Sequence, residues 1–288
     1  GTGITNYNTS YVAGSLSITL KNLTVTAANQ SIIYGGTITN SVSASSLVTG
    51  DSLTGATYTY LGVGSTTYSS STTPPTAVGT YTITPSAATG TGITNYNTSY
   101  VAGSLSINKL AITVTADPRS KIYGASDPTF TFTNSALVSG DSISGVSFTR
   151  APGESVGGYA IIPSAATGSG LGNYSISYAA ASLSITPATL TVTASNKTKV
   201  YGAFDPALTY SVSSLVNGDT ASVVTGSLSR VTGESVGSHA ITHGGVVANA
   251  NYTINYVGGN LSITPKSLTI VAADKTKVYG TSDPSFSV

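Results

Sequence analysis

Short stretches of strict apolar/polar alternation recur along this chain. In Leu190-Thr191-Val192-Thr193-Ala194 the apolar side chains fall on one face, the period-two pattern of a half-buried β-strand. The same alternation runs through ALTYSV (207–212), GSLSRV (226–231) and SHAIT (238–242). In NYTINY, Tyr252, Ile254 and Tyr256 share a face that Leu261 and Ile263 resume beyond Gly258-Gly259. Turn residues separate these runs: Asp205-Pro206, Asn217-Gly218-Asp219, Gly233 and Gly258-Gly259. No stretch sustains a helical period, although SSLVNGD (213–219) suits one short helical turn. The pattern predicts an all-β protein.

The pattern also repeats. Residues 1–18 and 90–107 are the same 18-residue string, GTGITNYNTSYVAGSLSI. LTVTA at Leu23 returns as ITVTA at Ile112, LTVTA at Leu190 and LTIVA at Leu268, at shifts of 89, 78 and 78. A Tyr-Gly pair follows each, at Tyr34, Tyr123, Tyr201 and Tyr279. Each full unit then has a Gly-Asp turn (Asp51, Asp141, Asp219) and an Asn-Tyr strand. This predicts repeats at 21–109, 110–187 and 188–265, flanked by part of a repeat at 1–20 and part of another at 266–288. The longer first repeat carries its extra residues within 61–79, a Ser/Thr/Pro-rich stretch expected to form a surface loop. The partial ends lead to the expectation that the sequence is a window on a longer array.

Composition narrows the classes. Only 7% of residues are charged and the net charge is +1, which offers no electrostatic footprint for nucleic acid or an anionic membrane. With 40% hydrophobic residues in regular alternation, each repeat can bury a small core. No apolar run reaches membrane-spanning length, so no membrane insertion is expected of this segment. Cysteine is absent, which removes disulfides and thiolate metal sites. Abundant Gly, Ser, Thr and Asn point to an extracellular bacterial surface protein.

The last strand of one repeat meets the first strand of the next across Pro187-Ala188-Thr189, a short connector stiffened by proline. Modules joined in this way predict an elongated, semi-rigid rod, with roughly 35 Å of rise per repeat for a ten-residue strand. The expected module is a small Ig-like β-sandwich, with a β-grasp-like sheet as the alternative.

The recurring pattern LTVTA, KVYGxxDP, LVNGD, GExVG, NYTIxY and LSITP is similar to the MBG family of repeats, YGX type. The likeness rests on Tyr123-Gly124 with Asp127-Pro128, Tyr201-Gly202 with Asp205-Pro206, and Tyr279-Gly280 with Asp283-Pro284, together with Glu154 and Glu234. The first repeat departs from it, with IIYGGTI and no glutamate. The resemblance implies tandem repeats of a large secreted bacterial adhesin.

Candidate chemistry is sparse, and neither catalysis nor a cofactor is expected. His239 stands where other repeats have Tyr81 and Tyr159, so it reads as a packing substitution. Ten acidic residues without a DxDxDG-like cluster give no calcium site. Asp127-Pro128, Asp205-Pro206 and Asp283-Pro284 read as structural turns in which the aspartate caps its own backbone. The Tyr pairs 96/100, 174/178 and 252/256 read as core tyrosines bonded at their rims, with a sugar-stacking surface as the rival. Lys199, Glu234 and Asn251 are the imaginable members of an isopeptide staple. Asp51-Ser52-Leu53, Asp141-Ser142-Ile143 and Asp219-Thr220-Ala221 resemble the Asp-(Ser/Thr)-aliphatic O-glycosylation acceptor, making Ser52, Ser142 and Thr220 candidate sites. The favoured function is a stalk that projects a distal binding region, with neighbouring repeats as the partners. The rivals are a fibre built from other copies and an array of weak glycan- or matrix-binding modules.

Overall fold

A computed structural model describes residues 2–287. The first repeat contains β1 (Lys21–Ala27), β2 (Gln30–Ile33), β3 (Val42–Ala44), β4 (Gly55–Gly62), β5 (Gly79–Thr89), β6 (Tyr96–Val101) and β7 (Gly103–Asn108). They form two sheets, ordered β3-β1-β6 and β2-β7-β5-β4. The first and last strands pair in parallel in both sheets: β1 with β6 from Lys21↔Tyr96, and β2 with β7 from Gln30↔Leu105. Each of these two lines of chain kinks once and crosses from one sheet to the other. Gly103 sits at the second kink, where a Cβ would lie 2.6 Å from the Ala27 carbonyl oxygen.

The second repeat repeats the plan with β8 (Leu110–Ala116), β9 (Arg119–Ile122), β10 (Phe132–Asn134), β11 (Ser142–Arg150), β12 (Gly157–Ser169), β13 (Tyr174–Ala179) and β14 (Ala181–Thr186). Its sheets are β10-β8-β13 and β11-β12-β14-β9. The third has β15 (Ala188–Ala194), β16 (Lys197–Val200), β17 (Tyr210–Ser213), β18 (Val224–Thr225), β19 (Ser229–Arg230), β20 (Gly237–Thr242), β21 (Val247–Ala248), β22 (Tyr252–Val257) and β23 (Gly259–Thr264). Its sheets are β17-β15-β22, β16-β23-β20-β19 and a small ribbon β18-β21. The arrangement is all-β, as the alternation predicts, with two principal sheets per repeat where the grasp alternative would place one.

Among the described residues the helical pieces are 3-10 turns, three of them just before the Asn-Tyr strands or in the opening segment: Ile4–Asn6, Ile93–Asn95 and Leu171–Asn173. The SSLVNGD segment holds a tight turn closed by Asp219 N–H donating to the Val216 carbonyl, in place of a helical turn. The 61–79 insertion folds back on its sheet. Tyr68 meets Tyr81 edge to face at 5.6 Å and donates to the Thr73 carbonyl.

The chain packs as two compact units that do not coincide with the repeats. One takes the chain up to Thr115 with Phe132–Ser147 and Pro163–Ala179; the other takes Ala116–Thr131, Phe148–Ile162 and the chain from Ala180. In the first, Leu23, Val25 and Tyr96 form one buried cluster, while Tyr60, Tyr81, Ile83, Leu105 and Ile107 form another. In the second, Ile161, Leu183 and Ile185 of repeat two share a continuous core with Leu190, Val192, Leu261 and Ile263 of repeat three. Hydrophobic burial therefore continues across a repeat boundary, where only Pro187 separates β14 from β15. The corresponding connector from β7 to β8 is Lys109 alone.

Candidate functional site: the joint between repeats

The Tyr-Gly, Leu-Val-x-Gly-Asp and Asn-Tyr motifs, far apart in sequence, converge at each joint. In the first unit, the Tyr34 hydroxyl of repeat one donates to Asp141 Oδ2 of repeat two at 2.8 Å. The Tyr174 hydroxyl donates to the same oxygen at 2.7 Å and accepts the Val138 amide at 2.9 Å. The two rings meet edge to face, 5.4 Å apart at 78°. In the second unit the geometry recurs. Tyr123 and Tyr252 donate to Asp219 Oδ2 at 3.0 and 2.9 Å, the Val216 amide donates to Tyr252 at 3.0 Å, and the rings lie 5.4 Å apart at 82°. Hydrogen bonds to a carboxylate are roughly twice as strong as neutral ones. Burial, then the Asp219 carboxylate, raises the Tyr252 hydroxyl above its ordinary value. Burial and the Asp141 carboxylate do the same for Tyr174, so both remain protonated donors.

Backbone contacts complete the joint. The Val78 amide of repeat one donates to Asn173 Oδ1 at 3.0 Å, and the Val156 amide of repeat two donates to Asn251 Oδ1 at 2.9 Å. The glycine of each Tyr-Gly pair is required twice over. Gly35 and Gly124 have φ of +83° and +81°, and a Cβ on them would lie 2.7 Å and 2.5 Å from Cγ2 of Val138 and Val216. Only glycine meets that backbone angle and that close approach together.

A second recurring cluster sits on the four-stranded sheets of repeats two and three. Lys199 Nζ contacts Asp205 and Glu234, each at 2.6 Å, and Arg230 bridges the same two carboxylates at 2.5 Å. In repeat two, Lys121, Asp127, Arg150 and Glu154 make the equivalent group. There Arg150 Nε lies 3.1 Å from Asp127 Oδ2 without hydrogen-bond alignment. Arg230 and then Lys199 hold the Asp205 carboxyl down at about 2. Repeat one replaces Lys121 and Asp127 by Ile32 and Ile38, both packed on the Tyr60 cluster. An ion network and an apolar plug thus fill the same place, an exchange that buried ion pairs tolerate.

These partners revise the reading of the Asp-Pro pairs. Asp127 and Asp205 direct their carboxylates to lysine and arginine, and Asp283 pairs with Lys277, where sequence alone suggests local backbone caps. Pro128, Pro206 and Pro284 follow them outside any strand or turn. Asn251 accepts the Val156 amide and Lys199 is held as an ion pair, so the isopeptide trio is not assembled. His239 replaces a tyrosine in kind. Its Nε2 bonds the Ser235 carbonyl at 2.8 Å, as the Tyr159 hydroxyl bonds Ser155 and the Tyr81 hydroxyl bonds Ala77.

The Tyr pairs divide. Tyr174 and Tyr252 are buried joint residues, and Tyr96 is buried with its hydroxyl donating to Asp51 Oδ2 of its own repeat at 2.7 Å. Tyr100 and Tyr178 are partly exposed and accept the amides of Ala88 and Ala166, just beyond the left-handed Ala87 and Ala165. Ser142 and Thr220 are exposed and Ser52 half-buried, while Asp141 and Asp219 beside the first two are the joint acceptors and Asp51 accepts from Tyr96 of its own repeat. That role is missed by reading each motif locally. The available signal is that every complete repeat carries the Tyr-Gly pair, the Gly-Asp turn and the Asn-Tyr strand together.

No helix among the described residues is long and apolar enough to cross a membrane. No curated protein matches the chain. The MBG domain of the YGX type, a structural repeat, matches it three times in tandem, over residues 23–106, 112–184 and 190–262. The Tyr-Gly pairs that build the joints lie within these matches, and the chain belongs to the MBG family, YGX type.

Proposed function

We propose that these repeats act as a spacer in a bacterial surface adhesin, holding a distal binding region away from the cell. The observation that carries the reading is the recurrence of one joint, with the same side chains at nearly the same distances, in both compact units. A joint with a one-residue connector and a tyrosine–aspartate lock resists swivelling, which a Gly/Ser linker would permit. The cysteine-free, sparsely charged composition and the surface-protein setting typical of MBG repeats support an extracellular location. In this reading the chain has no catalytic role. Exposed Ser142 and Thr220 stay candidate O-glycan carriers, and an intact mass of natively produced protein without added hexose removes them.

Negative-stain electron microscopy of the purified chain tests the spacer. Three repeats laid end to end predict an unbranched particle of about 100 Å at roughly 35 Å per repeat. A compact particle, or specific binding on a glycan array, overturns it.

A further inference from the structure

We infer that the repeats bear tension, each through a shear clamp formed by its own first and last lines of chain. The register carries the inference. In repeat three, six pairs of β15 with β22 begin at Ala188↔Tyr252, and four pairs of β16 with β23 end at Val200↔Thr264. Partners lie 64 positions apart in both sets, so the seam keeps one register through the kink from sheet to sheet. Repeat one does the same at 75 positions, with six pairs of β1 with β6 and four of β2 with β7. At the kink an asparagine side chain continues the ladder. Asn196 Oδ1 accepts the Asn260 amide and Asn29 Oδ1 accepts the Ser104 amide, each at 2.8 Å. Repeat two has its six pairs and four pairs as well, with Pro118 standing at the asparagine position.

Parallel pairing decides how a pull enters the repeat. The two lines run the same way, so the start of the first and the end of the second lie at opposite ends of the seam. A pull between those points slides one line along the other and strains every pair together. In an antiparallel seam the same two points would share one end, and the pull would open the pairs one at a time. The connectors deliver load to these points, since Pro187 leads from β14 straight into the start of β15 and Lys109 leads from β7 into β8. The seam is shielded on its inner face. Leu190 and Val192 on the first line and Leu261 and Ile263 on the second are at most 2% exposed, so water does not replace the seam's bonds singly. On the outer face hydroxyls pair across it, Thr189 with Thr253 and Thr24 with Ser99. A spacer needs only length; this seam adds resistance to extension.

Single-molecule force spectroscopy of the full chain tests this, and the absence of cysteine lets thiol handles be placed at chosen positions. Lys266→Cys, exposed just beyond β23, serves as the common handle. Joined with Thr189→Cys, exposed near the start of β15, it pulls along the seam of repeat three. Joined with Val200→Cys, exposed at the end of β16, it opens the seam from one end. Forced unfolding follows the unfolding barrier, and breaking several pairs together should raise the force along the seam at least about twofold over the opening force. Asn196→Ala, at an exposed position, removes the bond across the kink and should lower the first force more than the second. Equal forces in the two geometries, or an Asn196→Ala loss confined to opening, overturns the proposal. The spacer reading is tested separately, because particle length in the microscope does not depend on unfolding force.

Discussion

At the residue scale, glycine and aspartate carry more than their local turns. Gly124 and Gly202 share a left-handed backbone, but only Gly124 has a neighbouring repeat against it. Alanine at either position costs about 1–2 kcal/mol for the left-handed conformation. Gly124→Ala adds a collision with Val216, so its loss should exceed that of Gly202→Ala by at least about 1 kcal/mol in urea denaturation. Equal losses would remove the close-approach role. The Lys199–Asp205–Arg230–Glu234 group gives a second prediction. The Asp205 carboxyl is lowered from 3.8 to about 2 when folded, so the unfolded chain binds more protons between those values. Its contribution is present above the unfolded value and is lost as pH falls through about 2. Melting temperatures should drop across that window, and Arg230→Gln should flatten the drop. An unchanged slope would show that the pairing does not stabilise the fold.

At the scale of elements, the duplicated 18-residue string separates local from non-local causes. Both copies form the same 3-10 turn, Ile4–Asn6 and Ile93–Asn95, because that turn needs only its own residues. The second copy goes on to form β6 and β7, with Leu105 and Ile107 buried, since β1 and β2 lie alongside as parallel partners. In the first copy Leu16 and Ile18 remain exposed, outside any strand. Identical alternation thus yields a strand only where a partner exists. Amides of residues 7–18 should exchange at least about a hundredfold faster than those of 96–107, read by hydrogen-exchange mass spectrometry. Similar protection of the two would show that residues 7–18 are held in a strand without β1 and β2 as partners.

The same distinction explains what the sequence discloses. Strands such as Ala188–Ala194 and Gly237–Thr242 are legible because burial on one face imposes alternation. The short β17 and β19 are harder to bound, since ALTYSV and GSLSRV alternate beyond their paired residues. Asp219 reads as an ordinary turn residue. Its acceptor role depends on Tyr123 and Tyr252, which lie 96 and 33 positions away. His239 is legible as a tyrosine substitute from alignment of the repeats alone, and its bond to Ser235 is the physical reason.

At the scale of the whole molecule, the repeats are coupled through shared burial and through the tyrosine–aspartate lock. In the second unit one hydrophobic core runs from Ile161 and Leu183 into Leu190 and Leu261, so unfolding of one repeat strips cover from the next. Such nearest-neighbour coupling is what turns a string of small modules into a cooperative array. Tyr123 of repeat two and Asp219 of repeat three stabilise each other across the boundary through a hydrogen bond of 3.0 Å. A double-mutant cycle of Tyr123→Phe and Asp219→Asn, followed by urea denaturation of the full chain, measures this directly. A coupling of about 1 kcal/mol or more is expected, within the range for a hydrogen bond to a charged group. Effects that add to within about 0.3 kcal/mol would show that the two residues do not stabilise each other across the boundary.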